Sequence, residues 1–259
     1  MLPKDDLLKS IDNHDCLARV LDQADQAIKT WDIVVTDFLS PPEQIEAAAL
    51  LQRLTDVHSL AWGGYPQAER QRLAIARIDI PLDQSQIPLS LLTVGGNFMF
   101  DPASHGDFLG ALLGTGLHRD KVGDIIVLGE RGAQAIVVPE LAEFLTQSLT
   151  QVRSVPVKAQ PLEWDQLRVR PPQKKDLTTV EASLRLDAVA SAGFGMSRSK
   201  MADLINSGDV RVNWKPITQA SYTLATGDLI VIRSKGRLEI GDVAVTKKER
   251  YRVNLTRYL

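Results

Sequence analysis

A single cysteine, Cys16, stands among the 259 residues, so no internal disulfide can form. The four histidines are scattered at positions 14, 58, 105 and 118, and with one cysteine they do not compose the ligand spacing of a zinc site. No stretch approaches the roughly 18 to 20 apolar residues that cross a bilayer, so no membrane insertion is expected. The opening MLPKDDLLKSIDNHDC has neither the apolar run of a signal peptide nor the acid-poor character of a transit peptide, which makes the cytoplasm the expected location. Internal repeats and low-complexity tracts are also missing.

What is present is enough apolar residue, 44%, for a sizeable core in one to three domains. The net charge of −2 conceals an asymmetry. Residues 1–176 carry 17 Lys+Arg against 24 Asp+Glu, or −7, whereas residues 177–259 carry 13 against 8, or +5. A basic block on an acidic chain is either a solvated surface or the footprint of a nucleic-acid module.

The expected fold class is α+β. Residues 1–62 read as a helical N-terminal region, because LARVLDQADQAIKTWDIVV and PPEQIEAAALLQRLTDV space apolar residues by three and four, and Pro41 and Pro42 after Ser40 suit a first helical turn. Residues 63–167 form the second predicted domain, and from Leu89 they give strand, helix, strand, strand, helix, strand. That is the split βαβ layout of ferredoxin-like and RRM-like folds. Gly129 to Gly132 fits a hairpin turn between its middle strands, and the aromatic RNA-binding signature of an RRM is missing. Residues 168–176, RVRPPQKKD, read as an exposed linker, and residues 177–259 as a last domain that opens on a short strand, Leu177 to Val180.

The informative run is Ser183 to Asn213. Ser183 is expected to cap a short helix through Val189 and Ala190, broken by Gly193 and Gly195, and Ser197 to cap a second that ends at Gly208. Met201, Leu204 and Ile205 share one face of that second helix. Arg198 and Lys200 sit in its first turn, where the macrodipole is already positive, and Lys200 occupies the place a capping box gives to Glu or Gln. Two readings follow: solvated cations that cost a few tenths of a kcal/mol, or a phosphate site built from helix N–H groups, a hydroxyl and two cations. Downstream, LIVIRSKGRLEI gives a buried strand, Leu229 to Ile232, and a glycine loop with Arg233, Lys235 and Arg237 that is either a turn or a phosphate contact. Lys247, Lys248, Arg250 and Arg252 form a last basic cluster, read equally as guards on an exposed edge strand or as RNA contacts.

The pattern Arg185-Leu186-Asp187, Gly195, Ser197-Arg198-Ser199, Leu204-Ile205 and Gly208-Asp209-Val210-Arg211-Val212-Asn213 resembles the S4-type RNA-binding domain at every anchor point. The resemblance implies two helices and a small twisted sheet, and Arg185, Arg198 and Lys200 carry over from it as RNA contacts. Arg211, alternating outward between Val210 and Val212, is expected to join them, and Ser197, Ser199, Lys215, Arg233, Lys235 and Arg237 complete the expected RNA-binding set. Upstream, Asp37-Phe38-Leu39, Gly63-Gly64-Tyr65, Ala68-Glu69-Arg70, His105 to Gly110, Gly114, Gly116, Lys121 and Gly123-Asp124-Ile125 resemble the bacterial YlmH family of S4-domain proteins. Gly106 departs from it, since members usually carry Arg there. The wording AGFGMSRSKM and INSGDVRVNWK is most similar to the cyanobacterial and plastid branch labelled photosystem II S4 domain proteins.

The resemblance implies a non-catalytic protein without cofactor or metal that binds structured ribosomal RNA, with transfer RNA near by, on the large ribosomal subunit in translation quality control. A protein partner would take the acidic N-terminal region. The alternative is a photosystem II assembly role. An RNA-modifying enzyme is the opposing class, because Arg185-Leu186-Asp187 also resembles the motif around a pseudouridine synthase aspartate. No glycine-rich loop follows a strand and opens a helix, however, and His105 with Asp107 reads as a surface histidine and a cap.

Overall fold

The computed structural model describes residues 14–169, 173–232 and 235–258. The chain divides into two compact units, residues 1–169 and 170–259. In the first, α1 (His14–Thr30) buries Leu17, Val20, Leu21, Ala24 and Ala27, the positions its three-and-four spacing marks. Trp31, in the left-handed region at φ 63°, stops it. The short strand β1 (Val34–Val35) follows, then α2 (Pro41–Leu51), entered through Ser40 with Glu43 closing a capping box and proline in its first turn.

Residues 1–62 are therefore not helical throughout. β2 (Val57–Trp62) pairs along its length with β3 (Arg72–Arg77), and β3 pairs with β1 on its other side. The segment RLAIARIDI, expected in the middle domain, thus completes the first sheet. Helical periodicity obscured this because β1 is too short to show alternation.

The next layer is a four-stranded sheet of β4 (Ser90–Gly95), β5 (Val122–Val127), β6 (Gly132–Val137) and β9 (Lys158–Pro161) in the order β5–β6–β4–β9. Helices α3 (His105–Gly114) and α4 (Ala142–Ser148) and the small hairpin of β7 (Gln151–Val152) and β8 (Val155–Pro156) complete the unit. A core of Leu92, Phe108, Leu112, Ala135 and Leu145 lies between sheet and helices. Ser104 caps α3 with Asp107 in a capping box, so Asp107 has the structural role read from its position.

Several of the scattered upstream motif residues, though not those of the 105–116 segment, converge on one seam inside this unit. Asp124 accepts from the Tyr65 hydroxyl and from the backbone N–H groups of Glu69 and Arg70, while the Arg70 guanidinium donates to the carbonyls of Phe38 and Val122. Lys121 pairs with Asp37 at 2.7 Å, and a Cβ at Gly123 would meet the Phe38 ring at 2.7 Å. Glycine is required there by close approach.

The second unit is a six-stranded antiparallel sheet in the order β10–β15–β14–β13–β11–β12, with two helices packed on one face. Its strands are β10 (Lys174–Glu181), β11 (Val210–Val212), β12 (Lys215–Pro216), β13 (Leu229–Ile232), β14 (Gly236–Val245) and β15 (Tyr251–Tyr258). The helices are α5 (Leu186–Phe194) and α6 (Arg198–Asn206). β10 is longer than its apolar residues suggested, because all eight residues pair with β15, so Lys174 to Asp176 belong to the sheet and not to a linker. Residues 170–172 of that expected linker lie outside the described residues.

Two expectations for α5 are corrected. Its N-cap is Arg185, not Ser183, and Gly193 is inside the helix, where a Cβ would lie 2.3 Å from a Leu238 methyl. Gly193 admits Leu238 to the helix surface. Gly195, at φ 68°, is the left-handed C-cap that ends the helix.

Candidate nucleic-acid interface

Asp187 lies in the first turn of α5 with its side chain only 7% exposed. Burying a carboxylate costs several kcal/mol unless it is paired, and two arginines pair with it. Arg185 Nε and Nη2 donate to Oδ1 and Oδ2 at 3.0 Å each. From the start of α6, Arg198 Nε donates to Oδ2 at 3.0 Å and Nη2 to Oδ1 at 3.2 Å. Burial alone would raise the Asp187 carboxyl, but the hydrogen bonds from Arg185 and Arg198 outweigh it and hold the acid below the usual carboxylate range.

Both guanidinium groups are thereby fixed with their outer edges in solvent, and the cluster keeps a surplus positive charge. Around it, Ser197 Oγ accepts from the Lys200 backbone N–H at 3.3 Å and lies 3.3 Å from Ser199 Oγ, and the Lys200 side chain is exposed. Buried Met201 and Ile205, with partly buried Leu204, anchor α6 beneath them.

The structure thus brings together Arg185, Ser197, Arg198, Ser199 and Lys200. It also changes the reading of Arg198, whose guanidinium is drawn onto Asp187. The expected conflict with the helix dipole is compensated by a buried carboxylate. Asp187 itself was legible only as part of a motif, since nothing in the spacing of 187 and 198 identifies them as partners. A carboxylate engaged through both oxygens by four N–H donors is also poorly placed to act as a nucleophile.

The remaining candidates are elsewhere. Val210 and Val212 face the helices, and Arg211 between them faces the other side. Strand registers place Arg211, Val231, Arg237, Tyr258 and Lys174 in one row across that open face. The Lys174 ammonium stands 5.2 Å from the Tyr258 ring centre, and the Tyr258 hydroxyl donates to Glu239. Arg211 and Arg237 therefore share a surface with each other and not with the helix pair. Lys215 is exposed on edge strand β12, Lys235 is exposed in the turn before β14, and Arg233 lies outside the described residues.

In the first unit a cavity of about 340 Å³ beside the seam has Arg19, Arg70 and Arg119 facing Asp37, Glu43 and Asp120. Its charges are answered internally: Arg19 pairs with Asp120, Asp37 with Lys121, and Arg70 and Arg119 donate to main-chain carbonyls. Burial, with repulsion from Arg70, lowers Arg119 to about 10. A Cβ at Gly106 would meet only Ser104 Oγ, at 3.7 Å, so no packing demand excludes a side chain there. Among the described residues there is no group of three or more metal-ligating side chains, and no helix long and apolar enough to cross a membrane.

Three family models match the chain. Residues 12–80 match the family model described as "YlmH, N-terminal", residues 83–166 that described as "Putative RNA-binding domain in YlmH", and residues 184–230 the S4 domain. The chain is 35% identical over 241 residues to the ribosome-associated protein quality control protein P2 of Bacillus subtilis, covering 90% of this chain and 93% of that one. It is also 43% identical over 68 residues to the small ribosomal subunit protein uS4 of Pelagibacter ubique, which covers 26% of this chain and 33% of the relative. The solved structure of cell division protein ylmH from Streptococcus pneumoniae superposes with a TM-score of 0.53 at 19% identity, over 60% of this chain and 94% of that one, a likeness of fold.

Proposed function

The chain belongs to the YlmH family of S4-domain proteins, and on that premise we propose that it is a non-catalytic RNA-binding protein whose recognition surface is the helix pair α5–α6. One observation carries this reading: Arg185 and Arg198 are locked edge-outward on buried Asp187, next to exposed Lys200 and the hydroxyls of Ser197 and Ser199. Fixed guanidinium forks match phosphate oxygens with little ordering cost on binding. Arg211 and Arg237 would then contact RNA only where it wraps round the sheet.

As its RNA we propose ribosomal RNA of the large subunit, with transfer RNA near by, and as its setting the rescue of stalled translation in the cytoplasm. Support comes from the 35% identical relative, which is named for ribosome-associated quality control. The four-stranded layer of the first unit fits the RRM-like reading, since its first and third strands lie at the centre. The photosystem alternative rests on the resemblance of AGFGMSRSKM and INSGDVRVNWK to one branch alone, whereas the ribosomal reading has RNA-binding residues to support it.

The test is to incubate the purified protein with deproteinised large-subunit ribosomal RNA. Binding that leaves every nucleotide unmodified is expected. Reproducible pseudouridine or methyl formation by the pure protein would place it among RNA-modifying enzymes instead.

A further inference from the structure

A concentration of unanswered positive charge lies away from the helix pair. β14 and β15 form a long hairpin whose turn and flanks carry Lys247, Lys248, Arg250 and Arg252, all exposed. Among the described residues, none of these four side chains has a hydrogen bond or ion pair. Arg185, Arg198, Arg153 and Lys121, by contrast, are each held by a carboxylate. With Val180, Ala244, Val245 and Thr246 the four cations line an open groove of about 550 Å³.

Taken alone, the sequence allows such residues to guard a sheet edge. The sheet order removes that explanation, because β15 is paired on both sides, to β10 and to β14, and the edges are β10 and β12. Nor is the turn a loose tether. Thr246 N–H donates to the Arg250 carbonyl at 2.7 Å, Glu249 N–H to the Thr246 carbonyl at 3.0 Å, and Arg250 N–H to Thr246 Oγ1 at 3.1 Å. The backbone under the four cations is fixed, and Glu249 is the one acid among residues 246–252.

The hairpin tip also lies at the same end of the sheet as the arginine pair, with Arg252, which alternates with core-facing Tyr251 and Val253, on the face away from the helices, so that one RNA would reach both by wrapping round this end. Glu181, the last residue of β10, is opposite Tyr251 and only four residues before Arg185. From there α5 runs back over the sheet until the Phe194 carbonyl accepts from Arg257, near the far end of β15.

We propose that the β14–β15 hairpin tip is a second RNA-binding site, in which Lys247, Lys248, Arg250 and Arg252 take the phosphate backbone of the same RNA that the helix pair holds. This rests on the RNA-binding reading above. It goes beyond the S4 match, which ends at residue 230, before the hairpin begins. An extended polyanion is the fitting partner because the groove is open, its donors are long exposed cations, and repulsion among them is relieved as phosphates displace counterions. A small anion would instead need enclosed donors.

The experiment measures binding of the full-length chain to deproteinised large-subunit ribosomal RNA across a salt titration. It compares the wild type with K247A/K248A/R250A, with R185A/R198A, and with the control K29A/R53A, two exposed positions of the first unit outside the segment matched to an RNA-binding domain. The hairpin variant is expected to bind at least about tenfold more weakly at low salt, with the slope of log K against log salt shallower by roughly 0.7 to 0.9 for each phosphate no longer engaged. Its thermal unfolding should match the wild type, and the control should bind unchanged. If R185A/R198A weakens binding while the hairpin variant keeps wild-type affinity and slope, the second site is wrong and the helix-pair reading survives. If the wild type binds no RNA, both fail together. If the hairpin variant loses affinity for anionic vesicles but not for RNA, the tip is a membrane contact and the proposal is overturned.

Discussion

Arg198 reaches from the first turn of α6 to grip Asp187 in the first turn of α5, through Nε and Nη2 at 3.0 and 3.2 Å. The contact ties the two helices together at the point where Arg185 binds the same carboxylate from the other side. A motif that reads as a list of basic residues is thus organised around an acid.

That arrangement makes Asp187→Asn informative. The substitution removes a buried negative charge and so raises the net positive charge of the cluster by one, which by charge alone should tighten RNA binding. With the acid positioning both guanidinium groups, we expect weaker binding instead, and a loss of stability of about 1.5–3 kcal/mol, the range for hydrogen bonds to charged groups. Salt-dependent affinity and denaturant unfolding measure the two effects. Tighter binding would mean that the arginines act as mobile point charges.

The same acid sets a pH dependence. Its carboxyl lies below the usual range in the folded chain. Its contribution to stability is therefore present above the unfolded value, about 3.9, and is lost as pH falls through the lower folded value. Unfolding midpoints followed into acid should fall less steeply for Asp187→Asn than for the wild type. Parallel curves would contradict the pairing.

Lys200 and Arg198 should separate affinity from stability. Lys200 is exposed, so Lys200→Ala should weaken RNA binding and lower the salt slope by roughly 0.7 to 0.9, while stability stays within about 0.5 kcal/mol. Arg198→Ala should reduce both, because it removes half the donors from a buried carboxylate. Equal stability for the two variants, by thermal unfolding, would show that Arg198 contributes little to the fold.

Gly193→Ala tests the packing of the second unit. Alanine is the better helix former by up to about 1 kcal/mol, but its Cβ would sit 2.3 Å from a Leu238 methyl. Overpacking of this kind costs about 1–3 kcal/mol, so the unfolding temperature should fall. An increase would mean that Leu238 moves aside freely.

Long-period features were legible in the sequence. The α1 face, the proline-marked start of α2, the strand and helix order from Leu89, the Ser197 cap and the outward Arg211 all follow from local rules. Non-local pairing was not. β1 is too short to alternate, β3 declares its sheet only through partners at 34–35 and 57–62, and β15 looks like an edge until β10 closes on it. The candidate site was legible as residue types but not as geometry. Arg211 and Arg237 lie on the opposite sheet face from Arg198 because strand alternation and register, not proximity in the chain, decide the surface.

The most direct test of the central claim is in-cell crosslinking of RNA to the full-length protein, followed by sequencing, for the wild type and for R185A/K200A expressed at equal level. The account predicts that ribosomal RNA dominates the wild-type library at a few discrete positions and that the double variant loses those positions. A library without enriched ribosomal RNA, or one that the double variant leaves unchanged, would contradict it.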